Sequence, residues 1–195
     1  MGTTVGVLAL QGAFAAHEQR LRECGVAARQ VRNADDLSGV DALVMPGGES
    51  TTMSKLLVTS GLFDEIAKRV EDGMPVFGTC AGMILLADEV LDGRPDQRCF
   101  GAIDIAVRRN GYGRQVDSFE ADLDVPAIGA PPFHGVFIRA PKVERVGSGV
   151  EVLAEHDGVP VLLRRGRVSV ASFHPELAGD ARLHESFIET ITESN

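Results

Sequence analysis

Three short segments hold residue types and spacings suited to acyl-transfer chemistry. The first is Gly78-Thr79-Cys80-Ala81-Gly82, with an apolar run before it and another after it. This reads as a tight strand-to-helix turn whose small residues let one side chain rise above a sheet edge. A cysteine there sits at a helix N-terminus, where partial positive charge favours thiolate over thiol. The amide of the next residue, Ala81, can point at an oxyanion that forms during attack. A lone cysteine is ordinarily a small buried hydrophobe. The small residues flanking Cys80 after a strand are what turn the reading toward a nucleophile.

The second segment is Phe173-His174-Pro175-Glu176. A nucleophilic cysteine needs a general base, and the base gains from a carboxylate that fixes its tautomer. His174 and Glu176 are two apart, so an extended backbone puts both on one face. Pro175 stiffens the link and biases His174 toward extended geometry. By itself the segment also reads as a polar turn after a strand. The third segment, Pro46-Gly47-Gly48-Glu49-Ser50, ends another strand. It lacks the Gly-Lys-Ser/Thr of a P-loop, so nucleotide binding is unsupported. All three lie at the carboxyl ends of expected strands, where open α/β sheets gather their ligands.

The elements that must position these segments follow from the apolar pattern. Residues 4–10, 27–31, 42–45 and 74–77 read as strands, alternating with helices at 14–24, 50–59, 62–70 and 81–91. That order implies right-handed crossovers and a parallel sheet. In the second half, residues 103–108 and 118–123 flank a turn built on Asn110-Gly111, and 136–139, 150–155, 159–164 and 167–172 read as further strands. Asp157-Gly158 is a hairpin signal. A helix at 183–192 closes the chain. The expectation is one α/β domain over residues 1–195, in three α/β/α layers around a mixed, mainly parallel central sheet.

Composition narrows the functions. With 195 residues, 44% hydrophobic and 24% charged, the chain can bury a sizeable core, and no apolar run approaches a membrane span. Nineteen basic against 28 acidic residues leave a net charge of −9, which disfavours nucleic acid. The N-terminus lacks a basic stretch, which argues against a signal peptide. The three cysteines suggest free thiols in a reducing cytoplasm, with Cys24 and Cys99 packing. No histidine, cysteine and carboxylate cluster has metal spacing, and neither metal nor cofactor is expected. His17 reads as either a partner-surface or a solvated helix residue, His156 as a turn support, and His184 as exposed on the last helix. Arg164, Arg165 and Arg167 read as a solvated strand and turn.

The three segments together resemble the class I glutamine amidotransferase family, whose fold is flavodoxin-like. The resemblance implies that Cys80 attacks the side-chain amide of L-glutamine, that His174 is general base and acid, and that Glu176 orients it. It implies an oxyanion hole from the amides of Gly48 and Ala81. Finer features, GVLALQGAFAAH, PGGESTTM, GTCAGMILLA, RRNGYGRQVDSFEADL and GVFIRAP, are similar to one branch of that family, the glutaminase subunits of pyridoxal phosphate synthases. That branch implies glutamine contacts from Gly47, Gly48, Glu49, Arg109, Ile138 and Arg139, with Gln11 completing the oxyanion hole when a synthase subunit docks in a hetero-oligomeric complex. Arg109 or Arg139 is a natural partner for a free α-carboxylate. Other amidotransferase glutaminases, such as that of imidazole glycerol phosphate synthase, are the nearest alternative. A peptidase-like cysteine hydrolase would carry histidine where Ala81 stands. A non-enzymatic binding module would leave the Cys, His and Glu set unexplained.

Overall fold

The alternation of strand and helix is realised in a computed structural model, which describes residues 2–112 and 118–192. Residues 113–117 of the segment RRNGYGRQVDSFEADL lie outside it. In chain order the elements are β1 (Thr4–Leu8), α1 (Phe14–Glu23), β2 (Ala27–Val31), α2 (Ala34–Ser38), β3 (Ala42–Met45), α3 (Ser50–Thr59), α4 (Leu62–Glu71), β4 (Val76–Thr79) and α5 (Ala81–Leu86). There follow β5 (Ala87–Val90), β6 (Ile103–Arg108), β7 (Ser118–Leu123), β8 (Phe133–Ile138), β9 (Lys142–Val146), β10 (Glu151–His156), β11 (Val159–Arg165), β12 (Val168–Ala171) and α6 (Arg182–Thr192).

The main sheet has seven strands in the order β10-β11-β12-β4-β3-β1-β2. From β12 to β2 every pairing is parallel, and β10 and β11 extend the sheet antiparallel through the expected Asp157-Gly158 hairpin. The central strands are buried on both faces, so alternate residues feed two separate cores. Leu43, Met45 and Val76 point to the side covered by α2, α3, α4 and α5. Ala42, Val44 and Phe77 point to the side covered by α1 and α6. This is the expected three-layer arrangement.

Three expectations fail, each for a reason in hydrogen bonding. The helix expected over 81–91 stops at Leu86, and Ala87–Val90 is a strand parallel to β6. The carbonyls of Leu85 and Leu86 accept instead from the amides of Phe100 (2.7 Å) and Ala102 (2.8 Å). Residues 103–108 and 118–123 form no hairpin: β6 lies between β5 and the unforeseen β9, whereas β7 pairs with β8. These pairs are small sheets apart from the main one, not extensions of it. Helix α2, also unforeseen, starts at an Asn33 side chain that accepts the Asp36 amide at 3.0 Å.

Gly82 is required by the close crossing of α5 over β3. A Cβ there would overlap the carbonyl of Met45, and one on Gly78 would lie 2.7 Å from the Gly82 carbonyl. Gly82→Ala should therefore lower the unfolding free energy by about 1–3 kcal/mol, the usual cost of overpacking. Urea unfolding checks this, and an unchanged midpoint would contradict the packing described.

Candidate active site

Four parallel neighbours, β1, β3, β4 and β12, end on one side of the sheet. Strands lie about 4.8 Å apart, so segments remote in sequence converge there. A cleft of about 360 Å³ opens at this edge. Gln11, Gly47, Gly48, Glu49, Cys80, Arg109, Ile138, Arg139 and His174 all line it. Ala81 begins α5 directly behind Cys80, and Glu176 is buried behind His174. The structure thus brings together every site residue expected from the sequence.

Cys80 adopts φ +50° and ψ −104°. A non-glycine residue there carries about 1–3 kcal/mol of strain, held only if the surroundings impose it. Its amide is pinned to the Ala171 carbonyl at 2.8 Å, and the packing of Gly78 against Gly82 fixes the turn on either side. The thiol points toward the Ile138 carbonyl, 3.8 Å away. The amides of the first turn of α5, beginning with Ala81, have no intrahelical partner and are free to bind an anion. Arg139, at φ +46°, turns the chain sharply after β8 and keeps its exposed side chain at the cleft.

His174 follows β12, and its amide donates to the Val136 carbonyl at 2.8 Å. Its Nδ1 lies 2.8 Å from Glu176 Oε1. An ionised carboxylate only accepts, so Nδ1 carries the proton and Nε2 is left for chemistry. Gly47 makes room for the ring, since a Cβ there would overlap His174 Cε1 and lie 3.4 Å from Cys80 Cβ. Burial works against charging the ring, but the hydrogen bonds to Cys80 and Glu176 outweigh it and push the pKa up to about 10.

Glu49 caps α3, accepting the amides of Thr51 at 3.1 Å and Thr52 at 2.8 Å. Arg109 Nη2 donates to it at 3.0 Å. Burial opposes its charge, but the Thr52 and Thr51 hydrogen bonds and the Arg109 guanidinium bring its pKa down to about 2. Gln11 Oε1 accepts the Glu49 amide at 3.2 Å, tying the loop after β1 to the glycine turn.

Sequence reasoning misses what lies behind Glu176. The surface positions expected for His17 and His184 are not found, and both residues are fully buried. His17 Nε2 is 3.2 Å from Glu176 Oε2, and Arg20 Nε donates to the Glu176 carbonyl at 3.2 Å. Against the pull of burial, hydrogen bonds from His17 and then His174 hold the Glu176 pKa well below the ordinary carboxylate range. Helical spacing carries the signal. Phe14, His17, Glu18 and Leu21 form one i, i+3, i+4, i+7 stripe, as do His184, Phe187, Ile188 and Ile191. Among the described residues no His, Cys, Asp and Glu cluster has metal-binding geometry. No helix among them is long and apolar enough to cross a membrane.

The model of the SNO glutamine amidotransferase family matches residues 7–193. A protein of Herpetosiphon aurantiacus named pyridoxal 5'-phosphate synthase subunit PdxT is 56% identical, over 95% of this chain and 98% of its own length. A Thermus thermophilus protein of the same name is 54% identical, over 97% and 98%. A solved structure described as a glutamine amidotransferase superposes with a TM-score of 0.91 at 52% identity, covering 96% of this chain and 98% of its own. A solved structure of PurLQS from Thermotoga maritima shares the fold, with a TM-score of 0.67 at 18% identity over 99% of this chain and 99% of its own.

The buried Glu176 makes stability depend on pH in a defined direction. Its pKa is depressed on folding, so its contribution is complete above the unfolded value, near 4.5, and is lost progressively as pH falls from there through the lower folded value. Glu176→Gln should be less stable than the parent at pH 7, and the gap should narrow toward about pH 3.5. Thermal unfolding at the two pH values checks this, and a gap independent of pH would contradict it.

Proposed function

The chain belongs to the SNO glutamine amidotransferase family, and from that premise we propose that it is the glutaminase subunit of a pyridoxal phosphate synthase. The observation that carries the reading is the strained Cys80 at the end of β4, facing a His174 already held by Glu176 inside a cleft lined by the glycine turn.

In this reading Cys80 Sγ attacks the side-chain carbonyl carbon of L-glutamine. The bond from carbon to nitrogen breaks, and His174 gives a proton to the departing ammonia. The oxyanion is met by the amides of Gly48 and Ala81. The resulting thioester is attacked by water, which His174 deprotonates, and glutamate leaves with Cys80 restored. Glu176 stays ionised throughout, fixing the imidazole and supporting its positive charge. Arg139 and the free donors of Arg109 suit the α-carboxylate, and the ionised Glu49 suits the α-ammonium, with Gly47 and Ile138 shaping the pocket.

The ammonia is passed to a separate synthase subunit in a hetero-oligomeric complex in the cytoplasm. Gln11 bonds the amide next to Gly48, so a synthase docking against the loop after β1 acts directly on the oxyanion turn.

Two outcomes test the reading. Cys80→Ala should reduce ammonia release from glutamine to background while keeping the parental melting temperature, and retained turnover would sink the mechanism. Addition of the pyridoxal phosphate synthase subunit should raise the ammonia rate of the parent chain. A rate unaffected by that subunit would refute the role of Gln11.

A further inference from the structure

The side chains behind Glu176 form a continuous buried array that the mechanism above does not use. His17 on α1 stands between Glu176 and His184. Its Nε2 is 3.2 Å from Glu176 Oε2 and 3.2 Å from Thr79 Oγ1, and its Nδ1 is 3.0 Å from His184 Nε2. All these side chains are buried, and Glu176 Oε2 has no aligned hydrogen-bond partner among the described residues, so that His17 Nε2, 3.2 Å away, is a donor atom within reach to satisfy it. We propose that His17, backed by His184, is a positioning residue for the glutaminase reaction. It donates from Nε2 to Glu176 Oε2 and so sets the plane of the carboxylate that holds His174. The proposal rests on the glutaminase reading for the reaction it serves, but its geometry stands apart from it.

The proton positions follow from the partners. An ionised carboxylate accepts only, so His17 Nε2 must carry a proton. His184 Nδ1 is without a partner among the described residues. A buried ring N–H left unpaired costs more than a bare lone pair, so His184 carries its proton on Nε2 and donates to His17 Nδ1. Burial pushes the His184 pKa down to about 3, which keeps that ring neutral. The hydrogen bonds then run one way, from His184 through His17 to Glu176. A carboxylate bound on one oxygen alone could rotate about its last bond, carrying the His174 ring off Cys80. With the second oxygen held from α1, rotation breaks a buried hydrogen bond. The ionisable groups facing Glu176 are His17 and Arg20 from α1, His184 from α6, His174 from its own turn and Cys80 beyond it.

Two measurements test this. Long-range ¹⁵N–¹H correlation on the unmodified, histidine-labelled chain should show His17 protonated at Nε2, and a bare Nε2 overturns the proposal without any variant having to fold. In the complex with its synthase subunit, His17→Leu should lower kcat about 10–100-fold, as loss of an outer hydrogen-bonding partner does elsewhere. KM for glutamine should stay within about twofold, and the acid limb of the kcat profile should move to higher pH, because Glu176 loses a donor to its anion. His17→Gln, which keeps an N–H donor at similar reach, should restore most of the rate. An unmoved acid limb, or equal losses in the two variants, overturns the role. Absence of ammonia production by the parent complex would instead overturn the functional reading and this role with it. A bare Nε2 in an active parent overturns only the role of His17.

Discussion

A carboxylate that is 2% exposed, as Glu176 is, has to receive from the protein the hydrogen bonds it has lost from water. Meeting that demand organises the site. One oxygen accepts from His174 Nδ1 at 2.8 Å, the other faces His17 at 3.2 Å, and the backbone carbonyl is held by Arg20. These donors come from β12's exit and from α1, with α6 and β4 closing the array through His184 and Thr79. The layer that covers one face of the sheet is therefore also the layer that holds the carboxylate. Losing the His174 or the His17 side chain would leave a buried charge short of a partner, which costs far more than the net worth of the bond.

The sheet supplies the second condition. Parallel order β12-β4-β3-β1 puts four carboxyl ends side by side, so the histidine, the cysteine, the glycine turn and Gln11 arrive at one edge although they span most of the chain. The strain at Cys80 is sustained by close backbone crossings of α5 on β3, which only glycine at position 82 permits. Further cleft walls, Arg109 after β6, Ile138 at the end of β8 and Arg139 just after it, come from the small sheets. Those sheets thus position the groups proposed to bind glutamine, while the main sheet positions those proposed to react.

Legibility follows the range of the interactions. The strands at 42–45 and 103–108 and the helix at 50–59 agree residue for residue with the structure, because apolar runs, capping residues and glycine turns are local signals. The end of α5 is not legible. Residues 87–90, Ala-Asp-Glu-Val, hold no proline or glycine to stop the helix, and only the amides of Phe100 and Ala102, arriving from a distant loop, take the carbonyls that would have continued it. Likewise Asn110-Gly111 announces a turn, but which strands it separates is decided by pairing with β9 and β8. His17 and His184 escape sequence reasoning for a different reason. Their helical stripes are visible, but the usual exposure of histidine points the other way from their position on those stripes.

The proposed reacting set is legible in the chain itself. Cys80, His174 and Glu176 are recognisable because nucleophile, base and carboxylate must sit in tight turns whose residue types are constrained over a few positions. The layered fold is equally legible in the alternation of strand and helix. How the carboxylate is held is settled only by tertiary structure. The contact of His17 with His184 spans 167 positions, and hydrogen-bond partners that distant are selected by packing two helices over one sheet face. No local residue preference records such a meeting, so the support for Glu176 exists only once the layers have closed.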